Sequence, residues 1–362
     1  MQHNSLRIAD LPVGPAHPPV FIAEMSGNHG GSLETALALV DAMAAAGAHG
    51  MKLQTYTADT MTLNCDGPGF VVSEPQSLWK GERLYDLYQR AHTPWHWHKA
   101  IFDRCKEHGM VCFSTPFDET AVDLLEGLQA PCYKISSFEC TDIPLIRRVA
   151  ETGKPVIIST GMASEAEIAK AVESARGAGC KDLILLKCTS SYPAPIDQVH
   201  LRAMPTLQER FDCLVGLSDH TLGLAVPLAS VAMGAVLIEK HVTLSRAGGT
   251  VDAAFSLEPS EVADLVRETH RVWQAMGQAT LGCNAAEKDS LAYRRSLYIA
   301  KDMQAGEVFT KQNLRAVRPG FGLAPEKLTD CLGKRASQPL TMGTPMREEY
   351  VMQPSAAPRA NS

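Results

Sequence analysis

From Pro19 to about Gln278, short apolar runs alternate with longer stretches of mixed polarity. The runs are PVFIAEM (19–25), GMKLQTY (50–56), MVCFSTP (110–116), CYKISS (132–137), PVIIST (155–160), DLILLKC (182–188), CLVGLSD (213–219) and AVLIEKHVT (235–243). They have the length of strands, and their near-continuous apolar character suits a parallel sheet covered by helices. The stretches between them have helical spacing. In SLETALALVDAMAAAG (32–47), for example, Ser32 is placed to cap a helix and Gly47 to stop it. Eight strand–helix units over roughly 260 residues predict an α/β fold of the (β/α)8 TIM-barrel type. The rival is an open doubly wound sheet, and the strand number weighs against it.

The rhythm breaks in three places. Residues 1–18 precede the first strand as an N-terminal extension. Residues 57–93, with Asn64, Gly67, Pro68, Gly69, Pro75 and Trp79, interrupt the second strand–helix unit. A long insertion at the C-terminal end of a barrel strand is expected to help close a site. After the barrel (19–278) comes a polar linker, 279–294, and then a compact segment, 295–352. Within that segment KDMQAGEVFTKQNL (301–314) is similar to QPLTMGTPMREEYV (338–351). Met303 matches Leu340, Gly306 matches Gly343, Phe309 matches Met346 and Leu314 matches Val351. So short a repeat predicts a small pseudo-symmetric domain rather than a solenoid. The tail, 353–362, has a disordered composition.

Composition narrows the class without naming it. The 362 residues are 45% hydrophobic and 20% charged, enough apolar material for a large core. A net charge of -6 gives no sign of a nucleic-acid partner. No apolar run approaches the roughly 18 residues of a membrane span, and the first residues do not form a secretory signal. A cytoplasmic protein is expected. The 10 cysteines show no C-x-x-C spacing, so they read as small buried hydrophobes rather than a disulfide framework or a zinc knuckle.

The chemistry of a barrel gathers at the C-terminal ends of its strands. Those ends carry Glu24, Lys52 and Gln54, Ser114 and Thr115, Lys134 with Ser136 and Ser137, and Ser159 and Thr160. They continue with Lys187, Thr189 and Ser190, then Ser218, Asp219 and His220, then Glu239, Lys240 and His241. His220 and His241 end consecutive strands, so their imidazoles are expected to share a divalent metal: Mn2+, Mg2+, Co2+ or Zn2+. Lys52 and Lys134 with Ser137, Ser159, Ser190 and Ser218 suit an anion carrying phosphate and carboxylate together. A Schiff-base lysine is the competing reading of either Lys, though that chemistry has no use for two His. Glu24 is a candidate acid or base, or an ion-pair partner of Lys52, and Glu139 is a second candidate carboxylate. No phosphate-binding loop or dinucleotide fingerprint is present, which disfavours a nucleotide.

Taken in order, IAEMSGNHGG, MKLQTYTADTMTL, FSTPFDETAVDLL, YKISSFE, STGMAS, KCTSSYPAP, GLSDHTLG and EKHVTL resemble the sialic-acid synthase family. The resemblance runs from about residue 19 to 350, and VRPGFGL (317–323) is similar to that family's antifreeze-like, or SAF, domain. LWKGERLYDLYQRAHTPWHWH (78–98), SSFE (136–139) and GGTVDAAFSLEP (248–259) look most like its pseudaminic acid branch, with the neuraminate and legionaminate branches more distant.

The resemblance implies a metal-dependent condensation of phosphoenolpyruvate with a diacetamido sugar. Glu24 and Asp252 would act in catalysis. Lys52, Lys134, Ser137, Ser159, Ser190 and Ser218 would hold phosphoenolpyruvate, and His220 and His241 the metal. Gln54, Glu139, Tyr192 and Asp252 would contact the sugar. Arg318 would reach from one subunit of a domain-swapped homodimer into the barrel of the other. Two positions depart from the family pattern: Ser190 stands where the neuraminate branch has Asn, and NHGG stands for NHNG at 28–31. A metal-dependent barrel aldolase or lyase is the rival enzyme class. A non-enzymatic carbohydrate- or ice-binding protein is suggested by the tail alone, and the polar strand ends argue against it.

Overall fold

Eight parallel strands, apolar on both faces through most of their length and polar at their inward C-terminal ends, close on themselves. The computed structural model describes residues 5–73 and 77–353. Pro75 of the insertion, residues 1–4 of the N-terminal extension and 354–362 of the tail lie outside the described residues. The chain divides into two units, Met1–Gly277 and Gln278–Ser362.

In the first unit a hairpin of β1 (Leu6–Ile8) and β2 (Leu11–Val13) precedes the barrel. The barrel strands are β3 (Val20–Glu24), β4 (Gly50–Thr55), β5 (Val111–Pro116), β6 (Tyr133–Ile135), β7 (Val156–Ser159), β8 (Leu183–Cys188), β9 (Leu214–Asp219) and β10 (Leu237–His241). They pair in chain order, and β10 closes the circle on β3. Each lies within one of the eight apolar runs. The helix after β3 spans Leu33–Ala45; the Ser32 hydroxyl accepts from the Thr35 amide, and Gly47 follows at φ 87°. Ala36, Leu39, Val40 and Met43 of this helix are fully buried in the layer between strands and helices. Each such large apolar side chain contributes about 1.5–3 kcal/mol by leaving water.

Inside the barrel a second core fills the N-terminal end. It joins Val20, Ile22, Phe113, Ile157, Ile184, Leu186 and Leu237 to Leu6, Ile8 and Val13 of the hairpin. The extension therefore plugs the bottom of the barrel. Strands of three residues give too short a pattern to be read from sequence. With the lower layers filled by apolar side chains, only the C-terminal end is left for polar ones.

The insertion is partly ordered. Short helices span Ala58–Met61 and Leu84–Ala91, and Val71 bridges Arg83. No helix among the described residues is long and apolar enough to cross a membrane.

In the second unit β11 (Ser296–Ile299) pairs antiparallel with β12 (Leu314–Val317). The weak repeat seen in the sequence is a real pseudo-twofold. Met303 and Leu340 each donate a backbone N–H to the other's carbonyl, at 2.8 and 2.9 Å. Gly306 donates to Ala336 while its counterpart Gly343 donates to Ile299, both at 2.8 Å. Both glycines turn at positive φ, 80° and 89°, where a side chain would be strained. Phe309 and Met346 occupy matching places in one small core.

Candidate active site

A cavity of about 590 Å³ opens at the C-terminal end of the strands. Its wall includes Glu24, Lys52, Gln54, Lys134, Ser137, Glu139, Ser159, Ser190, Tyr192, Ser218, His220, His241 and Asp252. The barrel residues to which the resemblance gives a role therefore meet at one place, whereas Ser114, Thr160, Lys187, Thr189, Asp219 and Lys240 of the strand ends do not line it. Arg318 belongs to the other unit, exposed and directly after β12.

The floor is a buried charge cluster. Register puts Glu24 beside Lys52 on one side and His241 on the other. Lys52 Nζ lies 2.6 Å from Glu24 Oε2 and 3.7 Å from Glu239 Oε1, and donates to Thr115 Oγ1 at 3.2 Å. Lys134 Nζ is 3.2 Å from Glu239 Oε2, and the Ser218 hydroxyl donates to Glu239 Oε1 at 3.1 Å. Two ammonium groups thus face two carboxylates with almost no water. Burial holds the Glu24 carboxyl above the usual carboxylate range, against the pull of Lys52. Burial also opposes charge on Glu239, but Lys134 and Lys52 outweigh it and keep that carboxyl low. Burial pushes the Lys134 ammonium down. Gln54 fixes Glu24 from above, donating from Nε2 to Glu24 Oε1 at 2.9 Å and to Ser26 Oγ at 3.1 Å.

Beside this cluster is a hydroxyl cradle. Ser159 Oγ is buried and has no hydrogen-bond partner. Ser137 Oγ accepts the Gly161 amide at 3.1 Å, which leaves its own proton to donate. A Cβ on Gly161 would stand 2.3 Å from Ser190 Oγ and 2.6 Å from Ser137 Oγ, so only glycine lets the backbone pass between these hydroxyls. O–H donors next to two ammonium groups have the chemistry to hold a multiply charged anion. The anion would compete with Glu239 for the lysines.

The two histidines lie across the cavity with ring centroids 5.3 Å apart. His220 Nδ1 is 3.0 Å from the Thr189 carbonyl, which places a proton on that nitrogen, so that in the neutral ring the lone pair sits on Nε2; burial opposes charge on this imidazole, but Cys188 and the Thr189 carbonyl outweigh it and raise its pKa above the usual range. His241 Nδ1 is buried without a hydrogen bond, 3.7 Å from Asp252 Oδ2. Burial, then the neighbouring His220, hold the His241 imidazole far below its usual range, and therefore neutral. Tyr192 and Phe255 wall the pair, Tyr192 at 4.5 Å from His220 and Phe255 at 5.0 Å from His241. Behind them, on the outward face, Lys240 Nζ meets Asp219 Oδ2 at 2.6 Å, and both side chains are essentially dry. Each is the chain neighbour of one histidine. Replacing Lys240 by Met strands a buried carboxylate, a change that costs about 3–5 kcal/mol. The expected result is a clearly lowered urea midpoint for K240M; an unchanged midpoint would refute the weight given to this pair.

Several wall residues escaped sequence reading. Cys188, taken as a small buried hydrophobe, lines the cavity with Sγ 3.9 Å from His220 Nδ1. Glu239 stood at a strand end without an assigned partner. Met61, Val72, Trp79, Leu84, Leu87 and Tyr88 bring the insertion over the cavity as an apolar wall, and Trp79 lies 6.2 Å from Tyr192. Leu84, Leu87, Tyr88 and Ala91 share one face of a short helix, inside a stretch that the sequence reading treats only as a long insertion.

Comparison with known proteins now has a geometry to rest on. Residues 39–280 match the NeuB family and residues 294–351 the SAF domain. The chain is 40% identical over 328 residues to a pseudaminic acid synthase of Campylobacter jejuni, covering 91% of this chain and 95% of that one. It is 39% identical over 335 residues to a pseudaminic acid synthase of Helicobacter pylori, covering 92% and 98%. Among solved structures, the N-acetylneuraminic acid (sialic acid) synthetase of Leptospira borgpetersenii in complex with citrate superposes with a TM-score of 0.71 at 32% identity, over 80% of this chain and 96% of that one.

Proposed function

The chain is an enzyme that belongs to the NeuB family, and from that premise we propose that it condenses phosphoenolpyruvate with 2,4-diacetamido-2,4,6-trideoxy-L-altrose, giving pseudaminic acid and phosphate. The observation that carries this reading is the pairing, in one cavity, of the lysine–hydroxyl cradle with two free imidazole donors. The cradle suits the carboxylate and phosphate of phosphoenolpyruvate. N-Acetylneuraminate and legionaminate synthesis are the alternatives within the family, and a metal-dependent aldolase is the more distant one.

NeuB-family synthases are generally metal-dependent, and the residues present fit a divalent ion. His220 and His241 would hold it through lone pairs left free by burial and by the Thr189 carbonyl. Among the described residues no cluster of three or more His, Cys, Asp or Glu completes a protein-only site, which supports substrate oxygen and water as the other donors. Mn2+, Mg2+ and Co2+ all suit such a mixed set. When bound, the metal supplies Lewis-acid polarisation of the sugar's carbonyl oxygen.

The chain's own residues do the rest. Lys52, Lys134, Ser137, Ser159, Ser190 and Ser218 hold phosphoenolpyruvate with its methylene carbon toward the sugar aldehyde. As the carbon–carbon bond forms, positive charge grows at the enol carbon. Glu24, buried and steered by Gln54, positions water against that carbon and takes its proton. Asp252, 3.7 Å from His241, assists from beside it. Phosphate then departs with its C–O bond broken, and the fixed lysines and hydroxyls stabilise the charge it carries away. Gln54, Glu139 and Tyr192 contact the sugar, and the apolar wall of the insertion suits its acetamido methyls and 6-deoxy carbon. Arg318, exposed after β12, serves the sugar in the barrel of the other subunit of a domain-swapped homodimer. Ten unpaired cysteines support a reducing compartment, the cytoplasm.

The test is phosphate release from phosphoenolpyruvate against a panel of acetamido and diacetamido sugars. Release with the diacetamido altrose well above the rest is expected. Preference for N-acetylmannosamine would overturn the sugar assignment and spare the chemistry. Cleavage without phosphate release would overturn both.

A further inference from the structure

Asn28 uses every hydrogen bond an amide side chain has, and it spends them all on the loop that carries Asp252. It sits in the turn after β3, 2% exposed. Its Nδ2 donates to the Val242 carbonyl and to Ser256 Oγ, both at 2.8 Å. Its Oδ1 accepts from Thr250 Oγ1 at 2.7 Å and from the Asp252 backbone amide at 3.2 Å. An amide offers two donor protons and two acceptor lone pairs, so the group is saturated. Ser256 Oγ in turn donates to the Asp252 carbonyl at 2.7 Å, closing a ring around the segment 250–256. The Asp252 carboxyl, nearly dry, is held separately by the Ser26 hydroxyl and the Gly27 amide of the same turn.

The loop Asn28 grips is tied at its ends by the Val242–Leu257 bridge and by Arg246 on Glu258, Glu261 and the Ser256 carbonyl, but these ties do not reach the backbone of Asp252. Between β10 and the helix Pro259–Met276 it has only short 3-10 turns at Arg246–Gly248 and Ala253–Phe255, and residues 244–249 are exposed. Nothing periodic fixes the height of Asp252 above the strand ends. We propose that Asn28 is a positioning residue that sets Asp252 in the cavity beside His241 and the turn that follows Glu24, by clamping the last strand–helix loop of the barrel to the first. Asn28 itself does not line the cavity that holds Glu24 and the histidines. The proposal rests on the proposed function in one respect: Asp252 acts in the reaction.

The chemistry selects Asn. Asp at this position would turn a carboxylate oxygen toward the Val242 carbonyl and replace a bond with a repulsion. Leu would fill the volume and leave four polar groups unmet.

The experiment compares Asn28→Asp, Asp252→Asn and the double variant in the phosphate-release assay, with amide hydrogen exchange on each. Asn28→Asp is expected to lower kcat about 100-fold, the scale of an ångström-sized misplacement. KM for phosphoenolpyruvate should stay near that of the parent protein, because the lysine cradle lies on other strands. On the Asp252→Asn background the Asn28 change should cost nothing further, since its effect passes through Asp252. Exchange in 243–256 should quicken in Asn28→Asp and in the double variant, and stay parent-like in Asp252→Asn. Losses that multiply in the double variant, or a parent-like kcat in Asn28→Asp, would overturn the proposal. If Asn28→Asp fails to fold, Thr250→Val removes one bond of the clamp and Ser256→Ala removes two. A smaller kcat loss that vanishes on the Asp252→Asn background is then expected, and parent-like turnover in both would overturn the clamp. A parent protein that releases no phosphate with any sugar refutes the function instead, and the exchange data then judge the clamp alone: unchanged exchange in 243–256 rejects it.

Discussion

Glu24→Gln should lose between about 100- and 10,000-fold in turnover, the range supplied by a positioned acid or base. The carboxylate is dry, fixed by Lys52 at 2.6 Å and Gln54 at 2.9 Å, and faces the cavity from the strand between Lys52 and His241. Gln keeps the shape and removes the ability to take a proton. Lys52 retains Glu239 and Thr115, so the buried ammonium is not stranded and the fold should persist. Steady-state phosphate release, paired with circular dichroism, separates the two effects. Parent-like turnover would end the role assigned to Glu24. A variant that cannot fold would show the carboxylate to be structural, a partner for Lys52 and nothing more.

Removing metal should have the larger effect. Dialysis against a chelator is expected to bring phosphate release to background, and added Mn2+, Mg2+ or Co2+ should restore it. The reason lies in the donors: His241 is held neutral by burial, and the Thr189 carbonyl fixes the His220 proton on Nδ1. A neutral imidazole at His241, packed against His220 and with a buried nitrogen lacking any hydrogen bond, is costly to maintain for packing alone. His241→Ala should behave as the chelated protein does and resist rescue. Titration of Mn2+ followed by its electron paramagnetic resonance gives a readout independent of turnover, and undiminished activity after chelation would refute the metal reading.

Both expectations began as positions at the ends of apolar runs. That they did so follows from the barrel. A closed parallel sheet fills its lower layers with side chains such as Ile22, Phe113 and Leu186, and its upper layer must take whatever polar groups the strand ends carry. Polar residues ending otherwise apolar runs could therefore be read as a site before any coordinate was known. The same holds for the small domain. A repeat of Met303 with Leu340 and Gly306 with Gly343 was visible as spacing, and folding turned it into reciprocal hydrogen bonds.

Other features had no signature of that kind. The hairpin formed by Leu6–Ile8 and Leu11–Val13 is too short for a period, and its role as a plug depends on the width of the barrel mouth. Glu239 stood in plain view among the strand ends, but its place between Lys52 and Lys134 depends on strand tilt and register. Gly161 and Asn28 are the clearest cases. The need for each comes from what comes near it in space: two serine hydroxyls in one case, a loop more than two hundred residues away in the other.

The sequence by itself determined the barrel, the end of it that reacts and the kinds of group gathered there, because apolar run length, helical spacing and the polar residues that end each run are local properties of the chain. Tertiary structure alone decided which charges neutralise one another, which hydroxyls are left free to donate and how Asp252 is held in place. Those depend on distances between strands and loops far apart in the chain, and no local pattern encodes them.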